Sequence, residues 1–520
     1  MSDPLYAFPT VCAQALRALA RYPSRTAFSW PGGSITYRGA TELIGRIQKV
    51  FVQLGLQPGA RVALLSANRA DSWCSGVAAQ LARLSVTSLH PLGSLDDQSF
   101  QLEDSETQVL VVDADTFRDR GGELAARASG LKAVFTLGPA SYGVDLLAAI
   151  EAAGTASPRS LAGPGDIATL NYTGGTTGKS KGALRYHREY GGFANAILAD
   201  FEIPDTPSYL TVAPISHVAG TKVLPTLMRG GTVHMLKGFD PEAVFNTIAR
   251  ERINFTLLVP TMIYVLLDHP GLDKTDLSSL ELLLYGASAM SPSRLVEGIE
   301  RIGPVFSQLY GQTECYPVSV LRKRDHDPKT PELFTSCGFP IAACEVKVLD
   351  DNDQEVATGE AGEICVRAPH VMAEYWKRPE QTVETLKNGW LHTGDIARSD
   401  ERGYLFILDR KKDMIVSGGF NLFPREIEDV LSQHADVAMV AVVGVPDDKW
   451  GEAVTAVVVA REGCHPNADE LIALVKARKS AAHAPKQIKF VTALPMTGVG
   501  KVDKKVLKAG FWVGRDRMVG

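Results

Sequence analysis

Residues 172–182 read Tyr-Thr-Gly-Gly-Thr-Thr-Gly-Lys-Ser-Lys-Gly, and no other stretch constrains the fold as much. Glycines are interleaved with hydroxyl side chains, and two lysines close the stretch. That composition wraps backbone N–H groups and ammonium charges around a polyphosphate. The apolar run 167–170 just before it has the character of a strand, so the loop is predicted to leave a sheet edge. A Walker A register fails, because glycine would be required where the chain has Thr173. A phosphate cradle of another type is the expectation, with a plain surface loop as the alternative.

The rest of the chain supplies the elements such a loop needs. Residues 13–19 have helical spacing, whereas 61–65, 109–112, 255–259 and 280–285 are short apolar runs bounded by turn residues. Strands alternating with helices predict an α/β architecture with largely parallel sheets. Near residue 410 the character changes. Asp409-Arg410-Lys411-Lys412-Asp413 is a dense charge run between the apolar segments 404–408 and 414–416. Beyond it come strand candidates at 438–445 and 453–460 and a helix candidate at 471–477. A second, small domain joined through a charged hinge is therefore expected, with a simple exposed turn as the alternative.

At 520 residues the chain exceeds what one hydrophobic core usually supports. Its net charge of −5 argues against a nucleic-acid partner held by general electrostatics. No apolar run has the length of a membrane span, and the N-terminus lacks a signal-like core. Seven cysteines form no C-x-x-C pair and the histidines show no H-x-x-x-H spacing. Reduced thiols, a cytoplasmic location and no structural zinc are the expectation.

Four more segments carry chemical groups. Tyr310-Gly-Gln-Thr313-Glu314 sets an aromatic, a hydroxyl and a carboxylate within five residues. Trp390-Leu-His-Thr-Gly-Asp395 offers a carboxylate just after a turn, suited to vicinal hydroxyls. Ser417-Gly418-Gly419-Phe-Asn-Leu-Phe-Pro-Arg-Glu precedes an acidic helix start. Pro495-Met-Thr-Gly-Val-Gly-Lys501 places one lysine on a glycine-flanked loop.

Taken together, in this order and spacing, the segments resemble the adenylate-forming superfamily of acyl-CoA synthetases, coumarate–CoA ligases, luciferases and peptide-synthetase adenylation domains. The resemblance covers nearly the whole chain. It implies a large multi-sheet α/β domain over residues 1–410 and a small, mobile α+β domain over 413–520. It implies two steps with ATP, Mg²⁺ and coenzyme A, in which a carboxylic acid becomes acyl-AMP and then a thioester. By the same resemblance, Thr173, Thr176, Thr177 and Lys179 hold the β- and γ-phosphates, while Gly174, Gly175 and Gly178 allow close backbone approach. Tyr310 stacks on adenine, Thr313 bonds the adenylate phosphate, and Glu314 holds Mg²⁺. Asp395 and Arg410 fix the ribose, Gly418 and Gly419 belong to the cofactor side, Lys412 is the hinge, and Lys501 is the catalytic cation. The setting of Lys501 is similar to that in which relatives are acetylated, which would bring in a lysine acetyltransferase as a partner. A homodimer is the default expectation.

For the acid, the resemblance points to His217, Lys222, Gly286, Ala287, Pro317 and Val318. The stretch 213–222 has no acidic residue, so amino-acid activation is disfavoured. His217 falls beside the acyl carboxylate and thiol entrance, or is a core histidine. Lys222 meets a second carboxylate or, the stronger expectation, runs its stem outward to solvent. Aryl, alicyclic and fatty acids all fit the small residues. The leading expectation is an acid–CoA ligase. An adenylation enzyme loading a separate carrier protein is the alternative, and a non-enzymatic nucleotide binder or Walker-type NTPase is a third reading.

Overall fold

The computed structural model describes residues 9–173, 180–418, 420–447, 449–496 and 502–511. The apolar runs at 61–65 and 109–112 become adjacent parallel strands, Arg61–Leu65 and Thr107–Val112, in an eight-stranded sheet. That sheet ends in two antiparallel strands, Gly182–Tyr186 and Glu374–Tyr375, beside Ile167–Tyr172. A second sheet has nine strands. Its parallel centre runs Thr232–Met235, Ser208–Thr211, Phe255–Leu258, Leu282–Gly286 and Phe306–Gln312. Helices fill the space between these sheets. Tyr37–Gln53, for example, turns Tyr37, Ala40, Ile44, Ile47 and Phe51 inward at helical spacing, and Thr36 caps it by accepting from Gly39 N–H.

A third, antiparallel sheet holds Glu345–Leu349, Gly362–Arg367, Leu386–Lys387, Trp390–Ser399 and Leu405–Arg410. The fourth lies wholly beyond residue 414. In it Val437–Asp447 pairs antiparallel with Gly451–Ala460, and Pro424–Leu431 and Ala468–Arg478 cover one face. Its core is separate, built on Ile415, Ile427, Leu431, Val442, Val454 and Leu471. The chain is thus a large multi-sheet α/β domain followed by a smaller one, as the sequence predicts.

Two segments differ from expectation. Residues 390–395 are not a turn but the start of a ten-residue strand, bent by Gly394 at φ +72°. The strand at 167–170 extends to Tyr172, and the glycine stretch is the connection of an antiparallel hairpin pairing Tyr172 with Gly182.

His187, directly after that hairpin, is fully buried, and neither ring nitrogen has a hydrogen-bond partner among the described residues. Burial lowers its pKa to about 4, against about 6.5 in an unfolded chain. The neutral form is the folded one, so the stability it contributes is complete above about pH 6.5 and is lost as pH falls toward 4. Denaturant unfolding at about pH 7.5 and about pH 5 should show wild type losing about 1–2 kcal/mol more than His187→Met. Equal losses would mean the imidazole is not held neutral.

Candidate active site

The geometry is organised around one turn. Phe306–Gln312 and Cys315–Leu321 form a hairpin in which Gln312 pairs with Cys315, leaving Thr313 and Glu314 as its two-residue tip. The hydroxyl and the carboxylate therefore project together from the end of the nine-stranded sheet.

Two other sheets reach this hairpin through side chains. From Gly182–Tyr186, Arg185 donates to the Thr313 carbonyl; it is 6% exposed, and burial lowers its pKa. A single charged residue in an otherwise apolar strand is the one sequence signal that marks it. From the neighbouring edge strand, the Tyr375 hydroxyl donates to Glu314 Oε1, and Met372 N–H donates to the Glu314 carbonyl at 2.7 Å. Lys181 Nζ lies 4.1 Å from the Tyr375 ring centroid, so the end of the glycine stretch and the Glu314 turn share one aromatic neighbour. Tyr375 has no sequence signal of its own.

The third sheet contributes Asp395, 5% exposed. Its Oδ2 accepts from the Tyr310 hydroxyl at 2.6 Å, and its Oδ1 lies 3.3 Å from Arg410 Nε. Asp395 and Arg410 stand directly opposite each other on antiparallel strands. The Tyr310 phenol thus orients a carboxylate whose other oxygen faces a guanidinium. Glu314, 8% exposed, keeps Oε2 without a hydrogen bond among the described residues, and a hard oxygen donor of this kind fits Mg²⁺. Thr173 ties the hairpin mouth, its N–H donating to Lys181 O at 2.9 Å and its Oγ1 accepting from Lys181 N–H at 3.2 Å. Gly174, Gly175, Thr176, Thr177, Gly178, Lys179, Gly419 and Lys501 lie outside the described residues.

The proposed acid-side residues divide into two groups. His217 is partly buried, with Nδ1 2.8 Å from Ser216 Oγ and its ring 4.2 Å from that of His90. Burial and then His90 lower its pKa to about 3, so the imidazole is neutral. Ala287 is exposed and held at φ +69°, a left-handed conformation that costs an alanine roughly 1–2 kcal/mol. Gly286 is buried where a Cβ would lie 2.6 Å from the Leu309 carbonyl oxygen, so only glycine fits. Pro317 and Val318 are buried as well.

Lys222 does not run outward. It is fully buried, donating to Thr221 Oγ1 at 2.8 Å and to the Tyr316 hydroxyl, with no carboxylate partner among the described residues. Burial pushes its pKa well down. Its nitrogen also lies 4.5 Å from the Tyr316 ring centroid, so the two side chains pack as a unit. Gly418, at φ +58°, lies under Trp450, where a Cβ would meet the indole at 2.8 Å; its backbone is shaped by packing. Lys412 occupies the exposed turn between Leu405–Arg410 and Ile415–Ser417.

The cysteines stay reduced, but two of them meet in space. Cys315, Cys344 and His370 come from three segments with no common spacing, yet one donor atom from each lies within 4.8 Å of the others. Hydrogen bonds from Cys315 and His370 lower the pKa of the Cys344 thiol. Absence of a C-x-x-C pattern did not exclude a cluster built in space.

What the arrangement can do is hold a polyanion at a hairpin mouth, a cation at Glu314 and a diol at Asp395. Residues 16–376 match the family described as AMP-binding enzyme, and residues 426–501 match its C-terminal domain. The chain is 42% identical to the medium/long-chain-fatty-acid–CoA ligase FadD8 of Mycobacterium tuberculosis, over 97% of this chain and 90% of that one. It is 34% identical to feruloyl-CoA synthase of an Amycolatopsis species, over 94% and 96%. The solved amide bond synthetase McbA of Marinactinospora thermotolerans superposes with a TM-score of 0.90 at 33% identity, covering 97% of this chain and 100% of that one. The chain belongs to the family of AMP-binding, adenylate-forming enzymes.

Proposed function

We propose that this protein is an AMP-forming acid–CoA ligase acting on an aryl, alicyclic or fatty acid. The observation that carries the reading is the meeting of three sheets on one hairpin, with Arg185 and Tyr375 at its Thr313–Glu314 tip and Asp395, opposite Arg410, bonded to Tyr310 on its first strand. In the first step the acid carboxylate attacks the α-phosphorus of ATP, the bond to the β-phosphate oxygen breaks, and pyrophosphate leaves. Two unit charges 4 Å apart repel by about 4 kcal/mol at an effective dielectric of 20, so positive charge must be supplied. Lys501 supplies it to the carboxylate and α-phosphate oxygens. Glu314 would hold Mg²⁺, which would supply further charge neutralisation on the phosphates. Thr173 with Thr176, Thr177 and Lys179 holds the β- and γ-phosphates, Thr313 bonds the α-phosphate, and Asp395 with Arg410 takes the ribose hydroxyls. In the second step the coenzyme A thiolate attacks the acyl carbon and AMP departs. His217, held neutral by burial, carries no positive charge for the incoming acid at neutral pH.

Lys412 is the hinge between domains 1–410 and 413–520, and rotation about it exchanges Lys501 for the Gly418–Gly419 face between steps. A cytoplasmic location, a homodimer and acetylation of Lys501 by a lysine acetyltransferase belong to the same reading. The test is pyrophosphate release over a panel of cinnamates, benzoates, alicyclic acids and alkanoates, with and without coenzyme A. At least one acid should give AMP and pyrophosphate in equal amounts, and thioester only with coenzyme A. AMP from no acid would overturn the reading. Transfer only to a holo carrier protein would replace it with the carrier-loading alternative, and transfer only to an amine would place the chain with the amide-forming McbA.

A further inference from the structure

Behind the Thr313–Glu314 turn lies a second convergence that neither ATP nor the acid explains. Cys315 opens the strand Cys315–Leu321 and is fully buried. Cys344 is half-buried in the turn before Glu345–Leu349. His370, 2% exposed, follows the strand Gly362–Arg367. The two sulfurs and a His370 ring nitrogen all lie within 4.8 Å of one another. Cys344 Sγ is 3.7 Å from His370 Nε2, and the Pro317 carbonyl oxygen is 3.4 Å from that sulfur and 2.7 Å from that nitrogen. His370 Nδ1 is buried and has no hydrogen-bond partner among the described residues.

Zinc bonds of about 2.3 Å to sulfur and about 2.0 Å to nitrogen put tetrahedral ligands roughly 3.5–3.8 Å apart. Cys344 Sγ and His370 Nε2 already stand at such a separation, and Cys315 Sγ lies within 4.8 Å of both donors, so closing the set calls for side-chain shifts of about an ångström. We propose that Cys315, Cys344 and His370 form a site for a thiophilic divalent cation, with Zn²⁺ the best match and the Pro317 carbonyl as the nearest fourth donor. On binding, each thiol releases its proton to solvent and each sulfur gives a lone pair to the metal. His370 Nε2 gives up the proton it donates to the Pro317 carbonyl and binds through the lone pair so freed, the ring taking its one proton at Nδ1 instead. No oxidation occurs.

The site would fasten the framework of the Glu314 turn. Cys315 is the next residue after Glu314 and bridges to Val371, and the segment after His370 supplies Met372 N–H and the Tyr375 hydroxyl to Glu314. A cation here ties the three segments that fix Glu314, without itself touching substrate.

The test uses the full-length, fully reduced protein without nucleotide and follows Co²⁺ by absorption. One Co²⁺ per chain should bind with thiolate-to-cobalt charge-transfer bands and tetrahedral d–d bands, and one equivalent of Zn²⁺ should abolish both. Cys344→Ser and His370→Gln, with unaltered circular dichroism, should weaken binding by at least about 100-fold. The signal is independent of catalysis, so a negative result leaves the ligase reading standing, and failure of the ligase reading leaves this one. A hard oxygen site at Glu314 would give no thiolate band. Absence of that band, or its survival in both folded variants, would overturn the proposal.

Discussion

Replacing Lys501 by alanine should cut acyl-adenylate formation by on the order of 10²–10³-fold while leaving thioester formation from preformed acyl-adenylate within a few-fold of wild type. The asymmetry follows from charge. Only the first step brings a carboxylate up to a polyphosphate, and only there is an ammonium opposite both anions stronger in the transition state than in the ground state. The second step joins a thiolate to an acyl carbon already activated by its phosphate leaving group. The hinge gives the converse. Lys412→Pro fixes φ in the turn that must rotate, so it should spare whichever half-reaction the locked orientation serves and suppress the other. Single-turnover assays of each half-reaction separate these outcomes. Equal damage to both steps in Lys501→Ala would remove the lysine from the first step's chemistry. Undiminished activity of Lys412→Pro in both would place the hinge elsewhere.

How much of this was legible before the structure depended on the distance over which each feature is encoded. Local periodicity placed the strands at 61–65, 107–112 and 437–447 and the helix at 468–478 within a few residues, because burial on one or both faces is written in consecutive positions. The motifs at Tyr310–Glu314 and Asp395 were visible as composition. Their relation was not, since a hydrogen bond from Tyr310 to Asp395 spans 85 positions and exists only once two sheets pack. The strand at 390–399 read as a turn because Gly394 and the polar Thr393 signal one locally, while cross-strand pairing with Leu405–Arg410 overrides that preference. Lys222 was expected to reach solvent by its flexible stem, but Tyr316 and Thr221 satisfy its nitrogen inside. The Cys315–Cys344–His370 cluster escaped spacing rules for the same reason, being assembled by tertiary packing.

Truncating Asp395 to alanine should be the most damaging change on the nucleotide side, raising KM for ATP by about 30- to 1,000-fold with little change in KM for the acid. The carboxylate is 5% exposed, hydrogen-bonded at one oxygen to Tyr310 and paired at the other with the more exposed Arg410. Removing a buried carboxylate that faces a phenol and a partly exposed guanidinium costs about 2–4 kcal/mol, because both lose their partner as well as the ligand losing its contact. Asp395→Asn preserves the shape and an oxygen for the Tyr310 hydroxyl but gives up the charge facing Arg410, so it should fall between wild type and alanine. Tyr310→Phe isolates the orienting bond. Losing one neutral-to-charged hydrogen bond, worth about 1.5–3 kcal/mol, it should weaken ATP binding by roughly 10- to 100-fold while leaving the ion pair in place. A purely structural Asp395 would behave otherwise, with the melting temperature falling in the alanine variant and KM for ATP unchanged in whatever fraction stays folded. Steady-state kinetics in ATP and in acid, run beside thermal melts of the same preparations, separate the two. The ribose assignment fails if ATP and acid are affected alike.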